Sequence, residues 1–375
     1  MMHHLAVGVF QSLDNGRGTK HKEFRMTTLQ QLLGTELPLI QAPMAGIQGS
    51  AMAIAVSNAG GLGSLPCAML GNDAIRTEIG AIRAGTGKPY NVNFFCHVPP
   101  QPSAESEATW RNALAPYYRE HDIDAASIPA GPGRNPFSEV VAEVLAEFRP
   151  PVVSFHFGLP PEPLLAQVRG WGSKILASAT TVDEALWLEA QGVDAIIAQG
   201  LEAGGHRGHF LSHDLTAQLG TFALLPQVVR AVRLPVIAAG GIADANGVAA
   251  AMALGAAGVQ IGTAYMLAPE AFTSALHRAA LTSDAARYAA LTNLFTGRPA
   301  RGIMNRLMRD LGPIAAVAPE FPLATSAIAP LRAKAEAQGR GDFSPLWSGQ
   351  NATGCRELPS AEITRALAQG FHLTA

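Results

Sequence analysis

The residues with the clearest chemical potential are glycines at the ends of apolar runs. Ala239-Gly240-Gly241-Ile242 and Gln260-Ile261-Gly262-Thr263 each follow a short β-branched stretch. In parallel barrels the loops after the last two strands often hold a phosphate on backbone N–H groups. Without a Cβ the backbone can approach phosphate oxygens closely, and the Thr263 hydroxyl can add a donor. The same glycines would also serve plain tight turns. A third cluster runs Gln199-Gly200-Leu201-Glu202-Ala203-Gly204-Gly205-His206-Arg207-Gly208. It offers more N–H donors, the Gln199 carboxamide, and in His206 a side chain that exchanges protons near neutral pH. His156, in Ser154-Phe155-His156-Phe157-Gly158, ends another predicted strand. It would point into a barrel mouth, or else be a packed strand-end histidine.

Competing chemistries are weaker. His206, His209 and His213 are spaced like zinc ligands, but no cysteine or carboxylate stands out beside them, so no metal is expected. No G-x-G-x-x-G follows a strand. Gly85-Thr86-Gly87-Lys88 runs into Pro89 and lacks the spacing of a triphosphate loop. Neither a G-x-S-x-G elbow nor an H-E-x-x-H helix is present. The ligand these residues suit is a mononucleotide-like phosphate rather than a dinucleotide or a triphosphate.

Such loops need a scaffold, and the chain supplies one. From Pro38 onward, short apolar runs alternate with helical patterns, as in repeated βα units around a parallel sheet. Strands are predicted at 39–41, 63–65, 91–95, 152–155, 175–177, 195–198, 236–239 and 259–261. Helices are predicted at 50–59, 74–84, 139–148, 182–191, 221–231 and 246–254. Eight such strands predict a (β/α)₈ barrel, with an open doubly wound sheet as the rival. Residues 26–268 are assigned to the barrel, with an insertion near 97–136 that carries a short helix around Glu107–Tyr118. Residues 269–375 read as a mostly helical region, without a convincing strand, that completes the barrel and covers its mouth. Residues 1–25 read as a disordered extension, and a helix starts after Met26 with a threonine available as N-cap.

Composition sets the outer bounds. The chain has 375 residues, 48% apolar and 15% charged, with 38 glycines. That suits one large buried core with many tight connections. A formal charge of −2, spread without a basic block, argues against nucleic-acid or anionic-membrane partners. The apolar run from Gly247 to Val259 is too short to span a bilayer, which needs about 18 residues. Three widely separated cysteines (Cys67, Cys96, Cys355) suit reduced thiols in a cytoplasmic protein.

Taken together, these segments resemble one family. Gln41-Ala42-Pro43-Met44-Ala45-Gly46, Asn91-Val92-Asn93-Phe94, Ser154 to Gly158, Gln199 to Gly208, Ala239 to Ile242, Gln260 to Ala264 and Thr292 to Ile303 are similar to the nitronate monooxygenases, formerly 2-nitropropane dioxygenases, and to their class I branch most. The resemblance runs from about Met26 nearly to the C-terminus. It implies FMN as cofactor, with Pro43 and Met44 along the flavin ring and Asn93 and Gln199 hydrogen-bonding the flavin or its ribityl chain. Gly204, Gly205, Gly241, Gly262 and Thr263 would cradle the phosphate. Ala42, Gly240, Gln260 and Ile261 complete the implied cofactor set. His206 matches the family's active-site histidine, and His156 a second histidine near the substrate. The implied reaction oxidises an alkyl nitronate of the propionate 3-nitronate type with O₂ to a carbonyl product and nitrite. The family pattern also places several tyrosines and a lysine around the substrate, whereas the late region here has only Tyr265 and Tyr288. Two other readings share the barrel: an FMN-dependent NAD(P)H:quinone or enoyl-acyl-carrier-protein reductase, and a non-catalytic phosphate-metabolite binder.

Overall fold

The computed structural model describes residues 28–129 and 134–373; the extension assigned to residues 1–25 lies outside them. The first described element is a short helix, Leu29–Leu33. Thr28 caps it, its hydroxyl accepting the Gln31 N–H while the Gln31 side chain accepts the Thr28 N–H, a reciprocal capping box.

The strands, in chain order, are β1 (Leu39–Gln41), β2 (Gly63–Pro66), β3 (Tyr90–Phe95), β4 (Val152–His156), β5 (Lys174–Ala179), β6 (Ala195–Gln199), β7 (Gly205–His206), β8 (Val236–Ala239), β9 (Gly258–Ile261), β10 (Ala289–Thr292) and β11 (Ala300–Ile303). Eight of them form one parallel sheet in the order β1-β9-β8-β6-β5-β4-β3-β2. The ring closes between β1 and β2: the Leu62 N–H donates to the Leu39 carbonyl at 2.8 Å, and the Gln41 N–H to the Leu62 carbonyl at 3.0 Å. All eight predicted barrel strands are present, and the open sheet is excluded.

Alternation of side chains along each strand builds two apolar layers. Ile40, Ala195, Ile197 and Ile237 fill the barrel interior, where Leu29 and Leu33 of the first helix join them. Leu39, Ile196, Ala198 and Ala238 face the helical ring instead. Burial of Leu29 alone, at 0% exposure, contributes about 1.5–3 kcal/mol.

Three features depart from the sequence reading. Helix Glu162–Gly170 follows Pro161 and contains Pro163, a pattern that reads as loop; proline is tolerated there because first-turn N–H groups have no helical partner. The C-terminal region is not strand-free: β10 and β11 pair antiparallel, and β11 pairs with β7. These strands are four residues or shorter and sit over the barrel mouth, so they lack the long alternating pattern that marks a strand in sequence. Finally, the helix that packs beside the first and last barrel helices is Ser360–Ala368, whose Ile363 and Leu367 join the barrel core. Residues 262–359 are therefore interposed between β9 and this helix.

That interposed region shares a second core with the insertion. Trp110, Leu114 and Tyr118 of helix Ala104–Glu120 pack with Phe295, Leu307, Ile328, Leu331 and Phe343. The Trp110 Nε1–H and the Tyr118 hydroxyl donate to the carbonyls of Ala324 and Ala327. Two segments far apart in sequence thus form one cover. Among the described residues no helix is long and apolar enough to cross a membrane.

Candidate active site

The ends of β1, β3, β4, β6, β8 and β9 open into one cleft, continuous with solvent at its mouth. Ala42, Pro43, Met44, Asn93, His156, Gln199, Gly204, Gly205, His206, Gly240, Gly241, Gln260, Ile261, Gly262 and Thr263 all line it. One end is built of backbone. Among the described residues, the N–H groups of Gly240, Gly241, Gly262 and Thr263 have no hydrogen-bond partner. Gly240 and Gly241 have φ of 115° and 74°, positive values that disfavour any side chain. At Gly204 a Cβ would lie 2.5 Å from the Gly349 nitrogen, so only glycine fits. Between the two ends, the Gln260 Oε1 is buried without a partner.

The other end is built around His206, on β7. Its Nε2 lies 2.9 Å from the Thr296 hydroxyl, which leaves Nδ1 as the ring nitrogen available to a ligand. Aromatic rings surround it: Phe321, Trp347, Phe157 and Phe95 have centroids 5.3, 5.5, 6.0 and 6.1 Å away. Burial pushes its pKa well below the ordinary histidine value, and the charges of Arg134 and Arg298 push the same way. The imidazole is neutral at pH 7.

His156 has both ring nitrogens engaged. Its Nε2 faces the His206 carbonyl at 3.2 Å, which can only accept, so Nε2 carries the proton and Nδ1 accepts from the Ser178 hydroxyl at 3.0 Å. Burial lowers its pKa to about 3. The Gln199 carboxamide is also employed within the loop, its Nε2 donating to the His206 carbonyl and its Oε1 accepting the Gly208 N–H. Beneath the loop, the fully buried Arg207 donates to the carbonyls of Gln199 and Gly200 and to Gln218 Oε1. Replacing Arg207 with methionine removes three hydrogen bonds and strands two buried acceptors, the Gln199 carbonyl and Gln218 Oε1, the Gly200 carbonyl keeping the Ala203 N–H. We expect a loss of about 2–4 kcal/mol in urea unfolding, together with displacement of His206. An unchanged unfolding midpoint would show that the loop carries itself.

Unpartnered backbone N–H groups at one end and a histidine in an aromatic box at the other share one barrel mouth. A model of the nitronate monooxygenase family matches residues 26–370. The chain belongs to the nitronate monooxygenase family. That family consists of flavin-dependent oxidoreductases. A nitronate monooxygenase of Pseudomonas aeruginosa is 42% identical over 345 residues, which cover 90% of this chain and 97% of that one. Among solved structures, nitroalkane oxidase from Streptomyces ansochromogenes is 37% identical, with a TM-score of 0.83 over 92% of this chain and 99% of the other. FabK from Thermotoga maritima is 27% identical, with a TM-score of 0.69 over 92% and 96%.

Against the family's tyrosine-rich pattern, this member's box is made of phenylalanine and tryptophan. Tyr265 is fully buried and bonded to Thr364, Tyr288 is exposed, and neither lines the cleft. Nor do the three spaced histidines converge: His206 turns to Thr296, while His209 packs against His213 with centroids 5.6 Å apart. Among the described residues, no three His, Cys, Asp or Glu side chains gather as a metal would require.

Several cleft residues gave no signal in the sequence. Trp347, Ser348, Gly349 and Asn351 arrive from the far C-terminal region. They are stitched to the cradle: the Gly349 N–H donates to Thr263 Oγ1 at 2.9 Å, the Gln350 N–H to the Glu202 carbonyl at 2.9 Å, and Asn351 Nδ2 to the Gly241 carbonyl at 3.2 Å. Arg134, Thr296 and Phe321 also come from loops without periodicity. The one available hint was the Thr292–Ile303 match, which contains Thr296 and Arg298.

The buried histidines predict an acid limit to stability. His209 is 1% exposed with neither nitrogen hydrogen-bonded, and burial lowers it to about 3. His277, whose Nε2–H holds the Trp347 carbonyl at 3.0 Å, is lowered to about 4. Unfolded, both titrate near 6.5. Above that pH they are neutral in both states and their contribution is complete. As pH falls from about 6.5 toward 4 the unfolded chain takes up protons that the folded one refuses, and each histidine removes up to about 1.4 kcal/mol per pH unit. Urea unfolding at pH 7 and pH 5 measures this; equal stabilities would contradict it.

Proposed function

We propose that this cleft binds FMN and that the enzyme oxidises alkyl nitronates with O₂ to a carbonyl product and nitrite. The observation that carries the reading is the shared cleft: an anion cradle of unpartnered N–H groups at one end and His206 at the other. The residues fit the cofactor. The N–H groups of Gly240, Gly241, Gly262 and Thr263 would hold the phosphate, with Gly204 and Gly205 completing the rim. The Thr263 hydroxyl, which accepts from Gly349, still has its own proton to donate. Ala42, Pro43, Met44 and Ile261 offer an apolar wall for the ring, and the unpartnered Gln260 Oε1 and the Asn93 amide offer polar contacts. Bound FMN supplies the electron acceptance and the reactivity toward O₂.

The protein's own part is to place an anion. A nitronate arrives already deprotonated, so no base is needed to start the reaction. His206 would donate Nδ1–H to a nitro oxygen while Nε2 accepts from the Thr296 hydroxyl, an electrostatic role sharpened by the aromatic walls that exclude water. Its depressed pKa makes it a poor base near pH 7, where a well-matched base would titrate. His156 and Gln199 act through the His206 carbonyl and set the position of the loop. Among the described residues all three thiols are unpaired, which supports a cytoplasmic setting.

The test is direct. Purified protein should be yellow, release FMN on denaturation, and form nitrite from a nitronate under air. Colourless protein that takes up no added FMN would refute the reading and favour a plain phosphate-metabolite binder. The second reading on the same barrel is a reductase with NAD(P)H and a quinone or enoyl-acyl-carrier-protein substrate. Anaerobic mixing with NADH separates the two: persistence of the oxidised flavin spectrum is expected, and rapid bleaching would select the reductase.

A further inference from the structure

Glu184 is only 1% exposed, and a carboxylate tolerates such burial only when its oxygens are occupied. It stands in the first turn of helix Val182–Ala190, which Thr181 caps. One oxygen serves the start of that helix: Oε2 accepts the Thr180 N–H and the Thr180 hydroxyl, each at 2.7 Å. Supporting the helix requires no more. The other oxygen reaches away from it, and Oε1 accepts the N–H groups of Phe210 at 2.6 Å and Leu211 at 3.3 Å. Those two residues follow His206 on the segment that carries it.

The Thr180 hydroxyl has a single proton, and Glu184 takes it. The same oxygen therefore accepts from Gln218 Nε2 at 2.8 Å, while Gln218 Oε1 accepts from Arg207 Nε at 3.0 Å. Arg207, Gln218, Thr180 and Glu184 thus form a chain of hydrogen bonds that all run one way, from a buried cation to a buried anion. Bonds aligned in a dry interior strengthen one another, and the chain links two charges that are not in contact. Both of its ends hold one segment. Arg207 adjoins His206 and donates to the carbonyls of Gln199 and Gly200, and Glu184 holds the N–H groups at 210 and 211. We infer that Glu184 is a positioning residue for His206, fixing the segment on both sides of the imidazole through this chain and through Phe210 and Leu211. The inference rests on the reading of His206 above as the group that meets the substrate anion.

Thr180→Val removes the hydroxyl that joins the chain while both charges stay, and Thr180→Ser keeps it. With histidine nitrogens labelled with ¹⁵N, the His206 signal is the one that disappears in His206→Asn. In wild type it should be that of one fixed tautomer, held at Nε2 by the Thr296 hydroxyl. Thr180→Ser should leave it in place. Thr180→Val and Glu184→Gln should move it toward the averaged signal of a loosened ring, and Thr180→Val carries the comparison if the glutamine variant does not fold. At matched flavin content, kcat/KM on propionate 3-nitronate should fall in both by about three- to tenfold, at most the worth of the His206 hydrogen bond. In the His206→Asn background the same changes should lower it less than about twofold, because a residue that acts through His206 then has nothing to position. An unmoved His206 signal, or losses that multiply in that background, would overturn the inference and leave Glu184 a support for its own helix. A moved signal in a protein that turns over no nitronate would uphold the positioning and overturn the nitronate reading.

Discussion

Gly241→Val is expected to give a folded protein that has lost its flavin. Gly241 sits at φ 74°, where a β-branched residue is strained by about 1–3 kcal/mol. A Cβ there would also press on Glu202 at 3.4 Å, whose carboxylate holds Thr221. The backbone would relieve both by rotating away from the left-handed region. Rotation turns the Gly241 N–H out of the proposed cradle. The fold should survive, because the strain lies in a loop and the barrel core is untouched. The expected result is flavin occupancy below about a tenth of wild type with a near-native circular dichroism spectrum. At Gly262, with a Cβ 3.3 Å from Ala42 and 3.5 Å from Met44, valine would crowd the apolar wall instead, and partial occupancy is expected. Full flavin in both variants would refute the cradle.

His206→Asn separates binding from proton transfer. The neutral imidazole contributes a hydrogen bond to an anion, and asparagine can still donate one. Turnover of a nitronate should therefore fall modestly, by about tenfold, the worth of one charge-assisted hydrogen bond weakened rather than removed. A neutral nitroalkane must first lose its α-proton, and asparagine cannot take it. Any turnover of the neutral form should drop by about 10²–10⁴. The depressed pKa of His206 further implies that wild type handles the neutral form slowly and that no histidine ionisation near 6.5 limits nitronate turnover. Steady-state rates on both forms across pH 5–8, with flavin content measured in each preparation, give the answer. Unchanged kinetics on both forms would remove His206 from the chemistry.

The barrel was legible in the sequence, and so were the glycines that line one end of the cleft. Eight short runs, most of them apolar, fix the strands, because a strand buried on both faces tolerates little else. Glycines at two consecutive strand ends mark the proposed cradle, because an anion held by backbone N–H groups would exclude Cβ atoms locally and leave a mark in the residue types themselves. His206 was legible because it lies in the glycine-rich loop that follows β6. Nothing local identified the opposite wall. Trp347, Phe321, Thr296 and Arg134 stand in irregular segments up to about two hundred residues apart, and they meet because helix Ala104–Glu120 and the region before Ser360 share the core of Trp110, Leu114 and Phe343. The short strands β7, β10 and β11 were hidden likewise, since pairing partners rather than side-chain alternation define them. Tertiary structure alone also decided that His156 and Gln199 spend their hydrogen bonds on the His206 loop. The residue type says what a side chain can donate or accept, but only the packed neighbours decide what is left to accept it.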